Sequence, residues 1–352
     1  VASGLFIGDA SNTNTIKVAG RDFSSFGTVG FLTNGTGTVV LNDSVDNYAF
    51  DNLQIDAGTA DLGASISSKG SQSYNTAVNL TGDAVLTATT GGSIDFNGTI
   101  DGAHGLTVNT PGVTTFGGAI GGTTALTSLT TDAPGSTSIG AGIINVDGNT
   151  ITFNDPVTLT ANLEINDTGD VFFGGNIIGG FFDLTVNSGG TVTFSKGAFV
   201  PMSSVLNNLT VDAPHIAVWE DIFTVFDTSL SGAVTLDTVE ADRRVTFLAD
   251  NLTLAGSLDG DVTVFMFPRN DTFLNGTIGT IDPLKSLTIT PSPTAGADPH
   301  IVYVGGGPIV AQTGMQLGYV TELTADTTLT VLNSGGRVSV SEVGGPYKLT
   351  VN

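Results

Sequence analysis

The sequence predicts an all-β fold, a parallel β-solenoid with coils of about 20–25 residues. Three observations predict it: a phrase that recurs along the chain, a composition of strand and turn residues, and a near absence of helix formers.

The recurring phrase comes first. Leu106-Thr107-Val108-Asn109 leads through Thr110-Pro111-Gly112 to Val113-Thr114-Thr115-Phe116-Gly117. Leu184-Thr185-Val186-Asn187 leads in the same way through Ser188-Gly189-Gly190 to Thr191-Val192-Thr193-Phe194. Looser copies begin at Leu32 and Leu329. Alternation within Leu-Thr-Val-Asn sends Leu and Val to one face of a strand and Thr and Asn to the other. Leu86 to Phe96 aligns with Leu106 to Phe116 at an offset of 20, and further copies follow at Leu129 and Leu209. A longer period overlies the short one, since Leu129-Thr130-Thr131-Asp132-Ala133-Pro134 returns as Leu209-Thr210-Val211-Asp212-Ala213-Pro214. A unit this short cannot bury a face alone. Stacked coils can, with Leu on Leu and Phe on Phe inside.

Composition agrees. Thr, Val, Ile and Phe favour strands, and Gly, Asn and Asp favour turns. Among 33 acidic residues only five are Glu (Glu164, Glu220, Glu240, Glu322 and Glu342), and Lys plus Arg total 10. Hydrophobic residues make up 40% and mean hydropathy is +0.25, too apolar for a disordered coil. The chain has no Cys, so disulfides and thiolate metal sites are ruled out. A net charge of −23 repels nucleic acid and anionic lipid. No apolar run reaches the length of a membrane-spanning helix. The expected setting is therefore extracellular or at the cell surface, with no nucleic-acid partner and no membrane insertion. The start, Val1-Ala2-Ser3, reads as an end left by signal cleavage.

Along the chain, residues 1–352 read as a single solenoid. Residues 215–283 are its least regular part, with longer loops or an inserted hairpin around Trp219 and Arg243-Arg244. Pro291-Ser292-Pro293 to Pro299-His300 reads as a loop or bend. Tandem immunoglobulin-like β-sandwiches are the alternative fold, but such domains are not self-similar at 20 residues.

The repeated phrase resembles the β-strand repeats of large bacterial surface proteins, among them autotransporter passengers and filamentous-haemagglutinin-like adhesins. The resemblance covers most of the chain and is densest from Leu53 to Pro214. It implies secretion, a right-handed parallel β-helix, and an adhesive or scaffold role.

Chemistry is sparse, and no catalytic, cofactor-binding or metal residues are assigned. His104, His215 and His300 lie far apart, without metal-ligand spacing. Gly305-Gly306-Gly307 lacks the Lys-Ser/Thr of a phosphate loop and reads as a tight turn. Glu240, Asp242, Arg243 and Arg244 are the one dense charge cluster, which reads as surface ion pairs before a sugar-cleaving site. Asp155, Asp167 and Asp170 read as turn residues, with diffuse Ca²⁺ binding the only cofactor chemistry in view. Nine Asn-x-Ser/Thr sequons, Asn208 and Asn251 among them, bear on glycosylation.

The ends carry the functional expectation. Leu5-Phe6-Ile7 is apolar and strand-like. Leu349-Thr350-Val351-Asn352 is the repeat phrase stopped after its first strand, at an offset of 20 from Leu329. The chain is either a piece of a longer protein or a subunit whose open ends join head to tail, and the second is favoured. The expected partner is then the chain itself, in a surface filament or matrix fibre. The alternatives are an adhesin segment that binds a glycan or cell-surface ligand and, behind it, a polysaccharide-cleaving enzyme.

Overall fold

A computed structural model describes residues 4–19, 22–43, 47–195, 205–219, 221–225, 227–236, 244–290 and 300–352. Contacts divide it into two compact units, Val1–Gly175 and Asn176–Asn352. Each is a β-solenoid of stacked parallel strands, and no helix occurs among the described residues. Parallel ladders exclude the immunoglobulin-like alternative, whose sheets are antiparallel.

In the first unit each regular coil has three sides. One side stacks Ala84–Ala88, Gly105–Asn109, Ser128–Thr131, Thr150–Phe153 and Asp170–Phe173. The next stacks Gln72–Tyr74, Ile94–Phe96, Val113–Phe116, Ser136–Ile139 and Val157–Leu159. The third runs through Ala77–Leu80, Ile100, Ile120, Ile143–Val146 and Leu163–Asp167. Alternation does what period-two patterning requires. Leu106, Leu129, Ile151 and Val171 stack in register inside, while Thr107, Thr130 and Thr152 line the outer face. Tyr74, Phe96 and Phe116 form an interior aromatic stack with ring centroids 5.1 and 5.5 Å apart. The buried Tyr74 hydroxyl donates to Gln72 Oε1 at 2.8 Å, so the polar tip is satisfied.

Turn length, not strand pattern, fixes the vertical alignment. Phe96 faces Phe116 at the expected offset of 20. Leu86, however, faces Val108 and not Leu106, and Ala84 takes the place opposite Leu106. The linker between Thr87 and Ile94 is two residues longer than that between Asn109 and Thr114, and it absorbs the difference. A slip of two keeps every side chain on its own face. The same correction applies to the last coil, where Leu329 faces Val351 and Leu349 faces Thr327.

Corners are made by glycines where successive coils touch. A Cβ at Gly118 would lie 2.4 Å from the Gly98 carbonyl oxygen, and one at Gly276 would lie 1.7 Å from that of Gly256. Coil-on-coil contact therefore demands the Gly of the Gly98, Gly118, Gly256 and Gly276 turns.

The second unit is three-sided as well. Its first side stacks Leu209–Asp212, Thr228–Leu230, Leu252–Leu254, Thr272–Leu274 and Ile301–Val304. Its second runs from Thr191–Phe194 through His215–Val218, Ala233–Leu236, Leu258, Ile278 and Ile309–Ala311 to Thr327–Val331 and Leu349–Val351. Its third stacks Ile222–Phe223, Arg244–Ala249, Thr263–Pro268, Ser286–Ile289, Gly314–Leu317 and Arg337–Val340. The described strands within 215–283 pair in parallel throughout. Thr272 faces Val302 at an offset of 30 residues, a span in which the sequence carries the Pro-rich stretch 291–299. That stretch lies outside the described residues.

Candidate assembly edges

A strand with one neighbour leaves a row of backbone N–H and C=O groups open to another chain. Leu5–Gly8 is such a strand. It pairs with Val29–Leu32 in the register Leu5–Val29, Phe6–Gly30 and Ile7–Phe31, and has no second partner among the described residues. Leu5 and Ile7 are half-buried against the coil beneath, while Phe6 is 65% exposed. Its ring lies over Gly30, where a Cβ would stand 2.4 Å from Phe6 Cδ1. Glycine there lets the ring lie flat along the edge.

Leu349–Val351 is a second edge. It pairs only with Thr327–Leu329 among the described residues. Leu349 and Thr350 are half-buried, and Val351 and Asn352 are exposed. The pairing is held beyond the strand itself, because the Asn352 N–H donates to the Leu329 carbonyl at 2.9 Å and the Lys348 N–H to the Asp326 carboxylate at 2.9 Å. The structure thus places all seven expected residues on open strand edges or beside them.

A third edge strand was not expected. Arg337–Gly344 pairs with Gly314–Leu323 and with no other strand among the described residues, and it turns two sides of the coil in one eight-residue strand. Val343, Tyr347 and Val351 are 44%, 48% and 53% exposed in this last coil. The alternation Arg337-Val338-Ser339-Val340 announced the strand. Nothing in that alternation announced that its continuation would be uncovered.

The remaining candidates do not converge. The structure describes Arg244 at the exposed start of a strand, whereas Glu240, Asp242 and Arg243 lie outside the described residues. His104 Nδ1 is 3.8 Å from the Asp83 carboxylate, His215 is exposed, and His300 is buried, each in a different coil. Among the described residues no group of three or more His, Cys, Asp or Glu is arranged to hold a metal ion. Gly305-Gly306-Gly307 is a turn against the coil of Asn275 and Gly276. Asp155 and Asp167 face inward, 3% and 6% exposed, and burial pushes both carboxyls above the usual carboxylate range. Thr131 and Thr137 donate their hydroxyls to Asp155 at 2.8 and 2.9 Å, and the Gly169 N–H donates to Asp167 at 3.1 Å.

No protein-family model matches the chain, and no curated protein or solved structure does either.

Proposed function

We propose that this chain is an extracellular structural repeat protein whose copies join through open strand edges into a surface filament or matrix fibre. The observation that carries the proposal is the pair of apolar edges. Leu5–Gly8 and Leu349–Val351 each have one strand partner among the described residues, and both present exposed apolar side chains, Phe6 on one and Val351 on the other. A contact between two different edges of identical copies is heterologous, and it propagates into an open filament where the rotation between copies does not close a ring. An acidic surface and an outer face rich in Thr and Asn support a role outside the cell.

The test is electron microscopy of the purified chain over a concentration series, beside a form lacking Leu349–Asn352 and a Phe6→Asp variant. Fibres from the intact chain that are lost in both variants, with strand content retained by circular dichroism, support the proposal. Isolated particles at every concentration, or fibres that persist in both variants, refute it.

A further inference from the structure

The third side of the second unit carries two outward arginines, Arg244 and Arg337, in one register column, as no other side does among the described residues. Its strand segments Arg244–Ala249, Thr263–Pro268, Ser286–Ile289, Gly314–Leu317 and Arg337–Val340 contain no Asp and no Glu, in a chain with 33. Arg244 pairs with Thr263, Thr263 with Ser286, and Gly314 with Arg337, while Ser286 and Gly314 directly precede the paired Leu287 and Met315. One outward column therefore reads Arg244, Thr263, Ser286, Gly314, Arg337. Four strand spacings put its two arginines about 19 Å apart at their Cα atoms.

Both arginines are exposed, and neither makes an ion pair among the described residues, whereas Arg269 is held by Asp250 at 3.0 Å. Exposed Lys285 adds a third cation beside Ser286. Gly314 has no side chain, so the column dips between Ser286 and Arg337. There a groove of about 430 Å³ opens, lined by Ser286, Thr288, Gly314, Gln316, Arg337 and Ser339. The neighbouring column starts at buried Thr246 and continues through Phe265, Thr288, Gln316 and Ser339, which supply hydroxyl, amide and ring surfaces.

We propose that this face binds a linear polysaccharide bearing carboxylates, laid across the strands from Arg244 to Arg337. Guanidinium groups pair with carboxylates in a bidentate fork. Ser, Thr and Gln match sugar hydroxyls, and the strand repeat of ~4.8 Å is close to the length of one sugar unit. An anionic chain is repelled by most of this molecule, at net charge −23, and Arg244, Lys285 and Arg337 relieve that repulsion locally, with one carboxylate, Asp221, at the foot of the neighbouring column, where it accepts the Thr246 N–H. Arg337 stands on the edge strand Arg337–Gly344, so this face adjoins an edge, and its occupancy is measured at protein concentrations below those at which fibres form.

The test is isothermal titration of the intact protein at low salt with oligogalacturonate and oligoalginate, beside a fully methyl-esterified oligogalacturonate of equal length. The acidic oligomers bind and the esterified one does not. Arg337→Gln and Arg244→Gln each weaken binding about tenfold, and the double variant weakens it further. Added salt weakens wild-type binding more steeply than that of the double variant. Failure of both acidic oligomers to bind, equal binding of the ester, or unchanged affinity in a folded double variant overturns the proposal.

Discussion

Thr137 donates its hydroxyl to the Asp155 carboxylate at 2.9 Å inside the first unit, and Thr131 donates to the same carboxylate from the adjoining side at 2.8 Å. All three side chains are at most 3% exposed. A carboxylate in that position is stabilised by two hydroxyls and opposed by the loss of water, and desolvation dominates.

The pH dependence follows in sign. The folded carboxyl binds its proton more tightly than the unfolded one, whose ordinary value is 3.8. The favourable contribution is complete below that value and is lost as pH rises through the folded pKa. Asp155→Asn therefore raises the melting temperature at pH 7 and has a smaller effect near pH 3. Thermal unfolding of both forms at the two pH values checks this, and an equal shift at both contradicts it.

The aromatic stack is a second point of leverage. Phe96 is 0% exposed and stacks on both Tyr74 and Phe116. Phe96→Ala costs about 3–5 kcal/mol through lost burial and an interior cavity. Urea denaturation of wild type and variant measures it.

Two Asn-Gly steps give opposite outcomes. A Cβ at Gly276 collides with the Gly256 carbonyl of the coil below, whereas one at Gly35 meets nothing within 4 Å. Gly276→Ala destabilises by about 1–3 kcal/mol through forced displacement of a corner. Gly35→Ala leaves the melting temperature unchanged or slightly raised, because it restricts the unfolded chain. Equal effects at the two sites contradict the corner-contact argument.

An Asx ladder climbs one corner of the second unit. Asn208 Oδ1 accepts the Asp227 N–H at 3.0 Å, Asp227 Oδ1 the Asn251 N–H at 3.2 Å, Asn251 Oδ1 the Asp271 N–H at 3.3 Å, and Asp271 Oδ1 the Ile301 N–H at 3.0 Å. Asp and Asn alternate, so no two carboxylates are stacked on adjacent coils. Asn251→Asp creates three in a row and destabilises the unit at pH 7, and the penalty disappears as the carboxyls protonate on acidification. Because Asn208 and Asn251 also donate their side-chain amides to Asp183 and Asp227, a sugar on either sequon would break the ladder. Melting curves of Asn251→Asp at pH 7 and pH 3 decide the first point.

The all-β solenoid and its inward faces were legible in the residues alone. Period-two alternation in phrases such as Leu106-Thr107-Val108-Asn109 assigns each side chain to a face wherever the strand pairs. Leu5–Ile7 and Leu349–Val351 were legible as strands for the same reason. Tertiary structure decided which residue faces which. Leu86 opposite Val108 depends on a turn two residues longer than its counterpart, and alternation cannot register a slip of two. It also decided what lies side by side on the surface. Arg244, Thr263, Ser286 and Arg337 form one column across coils of unequal length, so no fixed spacing in the sequence reveals them. Local chemistry fixes the face on which a residue stands. Only the summed lengths of the intervening turns fix its neighbours.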